Sequence, residues 1–387
     1  MKKKILIFTP YLIQGGVEHS LITALSLLDY EKYDVSLYLY KNDLTLFSEV
    51  PSDVNVILGF DKTHYYRKPV PIFLSTLALL SGKFQFKSAE LGIRRVLNRY
   101  LHNKKINYPK KKYFRNKEYD VVISYCLHIC SEMALTIKAK HHYLFLHNSR
   151  AEYHLDIFEK CYRSYDALLP VNILIRDLYQ SLFPDIRKII VINNYVDART
   201  IIDKSRVTLE NFKKEEFTIT TCGRISHEKG FDLAVEAAEF LKQNDVPFRW
   251  LFIGDGDDRT KIEDMITNKG LQDCIIITGF QDNPYPFMAQ GDIYVQTSYE
   301  EAQPLVLLEA MVLGKPIVST KTVGGQYILD NGNKGVLTGF SGKEIGEAVL
   351  NLIKRPALRK QYENLYSLED NLREKEIYIQ KWNQLLE

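Results

Sequence analysis

The sequence EAQPLVLLE, residues 301–309, lies between two apolar segments that are predicted to be buried strands, DIYVQTS at 292–298 and GKPIVST at 314–320. A strand, a connecting helix and a second strand in this order are typical of a parallel α/β sheet. Pro304 favours a helix start, because the first turn of a helix does not need its missing N–H group. Two carboxylates, Glu301 and Glu309, are therefore expected at the carboxyl edge of the sheet, where open α/β sheets bind ligands.

Short apolar segments alternate with helical ones along the whole chain, which indicates parallel α/β sheets in both halves. In the first half, strands are predicted at 5–9, 35–40, 54–58, 121–124, 143–147, 167–171 and 189–193. In the second half, they are predicted at 217–222, 249–254, 275–278, 293–297 and 316–320. The polar segment from Asp197 to Glu216 is interpreted as a linker. A last helix is predicted at 372–386, with an apolar face of Leu372, Ile379, Trp382 and Leu386.

The glutamate pair resembles the E-x7-E signature of the retaining family 4 glycosyltransferases, which have the GT-B fold and move a sugar from a nucleotide donor to an acceptor. Further segments resemble that family in the same order: INNYVD at 192–197, GRISHEKGFDLAVEA at 223–237, FIGDGDD at 252–258 and the pair Gly324-Gly325. The resemblance covers essentially the whole C-terminal half.

This resemblance implies two Rossmann-like domains that face each other across a cleft. Residues 1–196 would form the acceptor-binding domain and residues 197–366 the domain that binds the nucleotide sugar. Residues 367–387 would form a helix that crosses back to the first domain.

Two cations fit the chemistry of such a reaction. When a nucleoside diphosphate leaves a sugar, negative charge builds on the phosphate, and preorganised cations and N–H donors stabilise it. Arg224 follows the strand at 217–222, and Lys229 precedes a helix expected near Gly230. The resemblance implies that both clamp the diphosphate. The alternative is two solvated cations at a helix start, an arrangement that the helix dipole disfavours.

The residues of the quoted stretch receive roles from the same resemblance. Glu309 would accept hydrogen bonds from the ribose hydroxyls, and Glu301 would lie beside the transferred sugar. The N–H groups of Leu305 and Val306, just after Pro304, are expected to reach the phosphate at the helix start.

The glycine pair Gly15-Gly16 separates the first predicted strand from a helix with apolar residues at 17, 21, 25 and 28. Glycines at such a turn let the backbone approach a ligand, and the helix N-terminus offers unpaired N–H groups to an anion. The resemblance implies that this loop faces the donor across the cleft. The dinucleotide pattern G-x-G-x-x-G is missing, which argues against a dehydrogenase. Recognition of the base is expected near Gly279 to Pro284.

His147 ends the strand predicted at 143–147, a position from which an imidazole can bind a sugar hydroxyl, and the family often carries a histidine near this place. The competing interpretation is a core histidine. Two segments depart from the family pattern. Ala302-Gln303 stands where many members have a glycine or a phenylalanine, and Gln326, Tyr327 and Ile328 follow the glycine pair where a glutamate is frequent.

Asp255-Gly256-Asp257 has the D-x-D pattern of metal-dependent glycosyltransferases. The segment nevertheless follows a predicted strand and precedes a predicted helix, as the corresponding GT-B turn does, and Arg224 and Lys229 already supply positive charge. The sequence therefore predicts no metal, and no cofactor apart from the nucleotide-sugar donor itself.

Composition is compatible with two domains of ordinary size, since the chain has 387 residues and 45% hydrophobic content. Cysteine usage favours reduced core thiols of a cytoplasmic protein over a disulfide or zinc role, because five cysteines occur at no metal-ligand spacing. The start MKKKILIFTP is interpreted as a first strand and not as a signal peptide. No apolar run approaches the roughly 18 residues typical of a membrane span.

Charge is distributed unevenly in the first half. Between Asp61 and Glu118 there are fifteen Lys or Arg residues against three acidic ones, interleaved with aromatic residues. Such a segment favours an anionic membrane surface, here the inner face of the cell membrane. The apolar run Pro71 to Leu80 is interpreted as an interfacial or buried helix. Nucleic acid is disfavoured because no known binding pattern for it is present, and a merely solvated face is the remaining alternative.

The sequence thus predicts a cytoplasmic, peripheral, metal-independent retaining glycosyltransferase. We expect it to move a hexose or N-acetylhexosamine from a UDP-sugar to a lipid-linked glycan precursor of a surface polysaccharide. Teichoic acid, a protein or a small molecule are alternative acceptors. A non-catalytic GT-B partner subunit is a further alternative, against which the presence of Arg224, Lys229, Glu301 and Glu309 together argues.

Overall fold

The computed structural model describes residues 1–59, 102, 105–127, 129–148, 155–186, 188–209 and 217–387, and these form two parallel sheets with helices around them. The strands of the first sheet are β1 Lys3–Thr9, β2 Tyr33–Leu39, β3 Asn55–Leu58, β4 Glu118–Ser124, β5 Lys138–Leu146 and β6 Ala167–Pro170. Those of the second are β7 Thr218–Cys222, β8 Arg249–Ile253, β9 Ile275–Gly279, β10 Ile293–Gln296, β11 Ile317–Thr320 and β12 Val336–Thr338.

Helices connect the strands of both sheets. Those of the first half are α1 Gly16–Ser26, α2 Ile129–Ala134, α3 Leu155–Tyr162, α4 Ile173–Leu182 and α5 Ala198–Ser205. Those of the second half are α6 Phe231–Gln243, α7 Arg259–Asn268, α8 Tyr285–Gln290, α9 Leu305–Val312, α10 Val323–Ile328, α11 Gly342–Lys354, α12 Pro356–Gln361 and α13 Leu368–Leu386. Residues 105–112 are also helical, and short 3₁₀ turns lie at Phe47–Glu49, His227–Lys229 and Asp330–Gly332.

In each sheet, the order in which the chain adds strands reverses at the central pair of strands, and this reversal positions the cleft. The strand orders are β3-β2-β1-β4-β5-β6 and β12-β11-β10-β7-β8-β9, with parallel pairing between the neighbouring strands. Chain connections leave in opposite directions on either side of the β1/β4 pair and of the β7/β10 pair. The carboxyl ends of the strands at such a switch point form a crevice that binds ligands. Residues 10–15, 223–230 and 297–304 leave the sheets at these ends.

The strands form because their apolar runs are buried on both faces, as parallel sheets require. In β1, Ile5 through Phe8 are all 0% exposed, and Trp250 and Phe252 of β8 are equally buried in the second sheet. The predicted strand at 189–193 is wrong. The structure shows a bridge between Ile189 and Leu168 and then an extended segment, since Pro170 has no N–H with which to continue the ladder. The short strand β12 was not predicted.

The segment interpreted as a linker, from Asp197 to Glu216, contains a helix that the sequence analysis did not predict. Helix α5 begins directly after Asp197, whose carboxylate accepts a hydrogen bond from the Thr200 N–H at 2.8 Å. An aspartate at this position satisfies N–H groups that the helix itself leaves free. Ala198 and Ile201 are buried, and Ile201 packs with Leu305 at the start of α9.

Helix α13 starts with a capping box of Ser367 and Asp370 and packs onto the core of the first sheet. The Trp382 ring stacks on Phe145 with centroids 5.5 Å apart. The expected apolar face is wrong at its first position, because Leu372 is 45% exposed while its neighbour Asn371 is buried. The Asn371 amide donates to the Val196 carbonyl at 2.8 Å, so the helix is fixed there by a polar contact.

None of the helices in the described part of the chain is long and apolar enough to cross a membrane. The basic segment between Asp61 and Glu118 lies mostly outside the described residues, and so does the run from Pro71 to Leu80. All five cysteines are described, and each is a free thiol.

Candidate active site

An ion pair between two predicted site residues forms the centre of the cleft. The Lys229 ammonium donates to Glu301 Oε1 at 2.6 Å, with the two side chains only 27% and 10% exposed. The same oxygen accepts from Ser298 Oγ at 2.9 Å and from Gln296 Nε2 at 3.2 Å. Glu301 Oε1 thus has three hydrogen-bond donors, and together they hold the carboxylate in one fixed orientation.

Gly230 explains how residues so far apart in sequence meet. Its φ of 63° lies in the left-handed region, and a Cβ there would overlap the carbonyl oxygen of Thr297. A glycine is needed at a turn that approaches another backbone this closely. The Thr297 hydroxyl in turn donates to the Lys229 carbonyl at 3.0 Å. The turn after β7 is thus fastened to the end of β10, which brings Lys229 to Glu301.

Arg224 lies on the opposite side of this centre and faces the first domain. Its side chain is exposed at the end of β7, and a Cβ built on Gly15 would lie 4.0 Å from its Nη2 atom. The same Cβ would overlap the carboxylate of Glu18, so Gly15 allows this approach. A Cβ on Gly16 meets nothing within 4 Å, so only the first glycine of the pair is required sterically.

Glu18 is a cleft residue that the sequence analysis missed. It lies in the first turn of α1, is 7% exposed, and burial raises the pKa of its carboxyl while Arg224 opposes that rise. The signal that could have found it is an acidic residue next to a glycine turn at a helix start, where the helix dipole stabilises negative charge.

Glu309 lies on α9 in an environment unlike that of Glu301. Burial raises the pKa of its carboxyl from 4.5 to about 7, opposed by a hydrogen bond from the Tyr285 hydroxyl to Oε1 at 3.3 Å. The two glutamates of the motif therefore differ in their partners, since Glu301 pairs with a lysine and Glu309 contacts a tyrosine hydroxyl. Tyr285, at the start of α8, was not predicted, because nothing local in the sequence connects it to Glu309.

The start of α9 is placed as predicted from Pro304. Leu305 is the first helical residue, and no side-chain hydrogen bond caps this end of the helix. The N–H groups of Leu305 and Val306 lie in this first turn, which is the position of orphan donors in any helix. The Leu305 side chain is buried in a cluster with Val196, just before the linker, and Ile201 of α5.

His147 lies at the carboxyl end of β5, apart from the centre formed by Lys229 and Glu301. Its ring stacks on Phe145 with centroids 5.6 Å apart and lies tilted against the Tyr125 ring at 5.0 Å. Burial lowers its pKa to about 3, so the imidazole is neutral at physiological pH. Among the described atoms its buried Nε2 has no hydrogen-bond partner, which leaves it one polar contact to make.

The D-x-D segment folds as a tight turn before α7. One Asp255 oxygen accepts from the Gly256 N–H at 2.8 Å and the other is paired with Arg259 at 2.7 Å. Within the described ranges, no group of three or more His, Cys, Asp or Glu side chains is arranged to hold a metal ion. Gly279, predicted near the base, ends β9 with a φ of 73° and forms a bridge with Gly254.

Three of the residues that depart from the family pattern contact the first domain. Asn172 Nδ2 donates to the Ala302 carbonyl at 2.6 Å, and Gln303 Oε1 accepts from the Asn194 N–H at 2.8 Å. Asn193 Nδ2 donates to the Tyr327 hydroxyl at 2.7 Å. These three hydrogen bonds connect the site loop and α10 to the first domain.

Solved structures share this architecture over nearly the whole chain. HepE from Anabaena in complex with UDP-glucose superposes with a TM-score of 0.70 and 17% identity, covering 99% of each chain. A variant of Staphylococcus aureus TarM, in complex with UDP, fondaparinux and α-GlcNAc-glycerol, gives 0.70 and 15%, again covering 99% of each chain. The two parallel six-stranded sheets and these matches define the fold as GT-B.

Within that fold, residues 205–365 match the family described as "Glycosyl transferases group 1". The lipopolysaccharide core biosynthesis glycosyltransferase LpsE of Rhizobium meliloti is 30% identical over 162 residues, which is 42% of this chain and 45% of that protein. A poly(ribitol-phosphate) α-N-acetylglucosaminyltransferase of Staphylococcus aureus is 27% identical over 198 residues, 49% of this chain and 40% of that protein. The chain thus spans less than half the length of these two relatives.

Proposed function

We propose that this protein is a retaining glycosyltransferase that uses a nucleotide sugar, with UDP as the carrier. The observation that carries the proposal is the buried Lys229–Glu301 pair at the switch point of the second sheet. Arg224 lies opposite the glycine turn of the first domain, and the uncapped start of α9 follows Glu301 by four residues in the chain. This arrangement supplies fixed positive charge and N–H donors where a diphosphate would leave.

The reaction follows from these positions. The acceptor hydroxyl oxygen forms a bond to the anomeric carbon as the bond from that carbon to the diphosphate oxygen breaks, and the electron pair leaves with the phosphate. Arg224, Lys229 and the first turn of α9 stabilise the charge that builds there. A phosphate oxygen takes the acceptor proton, so no protein base is required. Glu301 binds a sugar hydroxyl, and Glu309 accepts from the ribose hydroxyls.

The alternative of a non-catalytic partner subunit is disfavoured by the Lys229–Glu301 pair. Burying two charges is unfavourable unless they are well paired, and replacing such a pair with apolar residues is often neutral or stabilising. A protein that only bound substrate would gain nothing from retaining this arrangement beside Arg224.

The donor and the stereochemistry are tested together. UDP should stabilise the protein by about 2.7 kcal/mol at a hundred times its dissociation constant, whereas GDP and ADP at the same concentration should do so much less. NMR of the product should show the anomeric configuration of the donor, with activity retained in excess EDTA. An inverted product contradicts the retaining mechanism. UDP binding without turnover of any UDP-sugar would support the non-catalytic partner instead.

For the acceptor we propose a lipid-linked glycan precursor at an anionic membrane surface, with the protein peripheral on the cytoplasmic side. The likeness to a lipopolysaccharide core enzyme supports the glycan, and the excess of cations between Asp61 and Glu118 supports the surface. A polymer of ribitol phosphate is the second candidate, because the Staphylococcus aureus relative acts on one according to its name.

A vesicle experiment tests the membrane part of this proposal. Lys110, Lys111 and Lys112 are exposed, and each cation near an anionic surface contributes roughly 1 kcal/mol. Changing all three to Glu should reduce co-sedimentation with phosphatidylglycerol vesicles at low salt, and added salt should weaken the parent likewise. The matched control changes the exposed lysines 343, 354 and 360 of the second domain to Glu, with the same change in charge. A parent that ignores anionic vesicles would contradict the membrane-bound acceptor.

A further inference from the structure

A continuous chain of hydrogen bonds connects the interior of the first domain to the loop that carries Glu301. The hydroxyls of Tyr125 and Ser20 are 2.9 Å apart, and Ser20 Oγ donates to Asn194 Oδ1 at 2.7 Å. The Asn194 N–H then donates to Gln303 Oε1 at 2.8 Å. Tyr125 and Ser20 are 1% exposed and Gln303 is 8% exposed, so solvent does not compete at either end.

Three of the four residues in this chain are next to predicted site elements. Ser20 lies on α1, the helix that Gly15 begins, and the Tyr125 ring packs at a tilt against His147, with centroids 5.0 Å apart. Gln303 follows Glu301 by two residues in the same loop. The chain therefore joins the glycine turn and the histidine of one domain to the glutamate of the other.

The loop around Glu301 is also held from both sides by backbone groups. The Gly324 N–H donates to the Glu301 carbonyl at 2.9 Å within the second domain. Asn172 Nδ2 of the first domain donates to the Ala302 carbonyl at 2.6 Å. The position of Glu301 therefore depends on contacts with the first domain as well as on its own sheet. Ala302 and Gln303 make these contacts with the first domain, and they are the residues at which the sequence departs from the family pattern.

We propose that Gln303, through Asn194 and Ser20, is a positioning residue that sets Glu301 against an acceptor bound in the first domain. This inference rests on the proposed function. A nucleotide held by Arg224, Lys229 and Glu309 is bound mainly through the second domain, so its affinity depends less than the transfer step does on how the first domain is placed. Transfer requires both domains to be correctly placed relative to each other. A misplacement of the reacting groups by about 1 Å lowers a rate about 100-fold.

The test is a split between kcat and nucleotide affinity. Gln303→Met keeps the length of the side chain but removes the acceptor oxygen, and Ser20→Ala removes the hydroxyl at the other end of the chain. Each variant should lower kcat for transfer about 10- to 100-fold while the Kd for UDP, measured by calorimetry, changes less than about twofold. The double variant should fall no further than the worse single one, because the members of one network are not additive.

The control is Gln180→Met, the same change at an exposed amide whose one hydrogen bond within the described part of the chain is to the nearby Pro184 carbonyl. It should leave kcat and Kd unchanged. Additive losses in the double variant, or a loss of UDP affinity that equals the loss of kcat, would overturn the positioning role in favour of general destabilisation. Unchanged kcat in both single variants of an active parent would overturn this inference alone. A parent that transfers no sugar from any nucleotide donor would overturn the proposed function and this role with it.

Discussion

Replacing Lys229 with methionine is expected to lower kcat for sugar transfer about 100- to 1000-fold, the usual effect of removing one preorganised charge or donor from a leaving oxyanion. Methionine fills a similar volume, so the turn at Gly230 should stay in place. Glu301 keeps its hydrogen bonds from Gln296 and Ser298, and these still orient the carboxylate. Steady-state kinetics with the identified donor measures the effect.

A double-mutant cycle with Glu301→Gln distinguishes two roles of Lys229, which are stabilising the charge on the leaving phosphate and pairing with Glu301. If Lys229 acts on Glu301 alone, the double variant should recover most of the loss, because the unpaired buried carboxylate is gone. We expect no recovery, since Lys229 acts on the leaving group as well. Lys269→Met is the matched control, because Lys269 pairs with Glu239 at the same 2.6 Å but elsewhere in the second domain. Normal activity in Lys229→Met would contradict the assigned role.

The second large effect is expected from Glu309→Gln, which should change the free energy of unfolding by an amount that depends on pH. The pKa of this carboxyl is raised from 4.5 to about 7, so between these values the folded protein keeps a proton that the unfolded chain releases. The free energy of unfolding of the parent therefore falls as pH rises from 4.5 to 7 and stays lowered above it. The neutral amide of the variant does not titrate, so this penalty is absent. We expect the variant to be more stable than the parent at pH 8 by on the order of 1–3 kcal/mol, and equal to it at pH 4.5.

The same substitution should weaken UDP binding about 10- to 100-fold, because an amide offers one acceptor where the carboxylate offers two. For the parent, UDP affinity should fall as pH drops below 7 and Glu309 takes up its proton. Urea titrations and calorimetry at the two pH values measure both effects. The exposed Glu347→Gln serves as control and should move neither quantity. If the variant is more stable than the parent but binds UDP with the same affinity, the ribose does not bind at Glu309.

The region around EAQPLVLLE was predictable because its signals are local. Pro304 marks the start of α9, and the apolar runs on both sides become β10 and β11. The fold could be inferred for the same reason, from alternating runs and the order of the motifs. The helix within residues 197–216 shows the limit, since Asp197 as a helix cap is also a local signal and the polar composition obscured it.

The contacts within the site could not be predicted in the same way. Lys229 and Glu301 are 72 residues apart, and their pairing depends on how closely the Gly230 backbone approaches Thr297. The raised pKa of Glu309 depends on burial that only the packed helices define. Gln303 was noted only as a departure from a pattern, because its partner Asn194 belongs to the other domain. The catalytic roles of these residues remain predictions.

The packing of α13 has a consequence for how the protein is made. Tyr378, Trp382, Leu385 and Leu386 belong to the same apolar cluster as the strands of the first sheet, and Lys3 Nζ donates to the Leu386 carbonyl at 3.2 Å. During synthesis, the first sheet emerges from the ribosome long before these residues exist. Its core remains incomplete until residue 386 has been translated, so the apolar surface that α13 covers stays exposed in the nascent first domain throughout elongation.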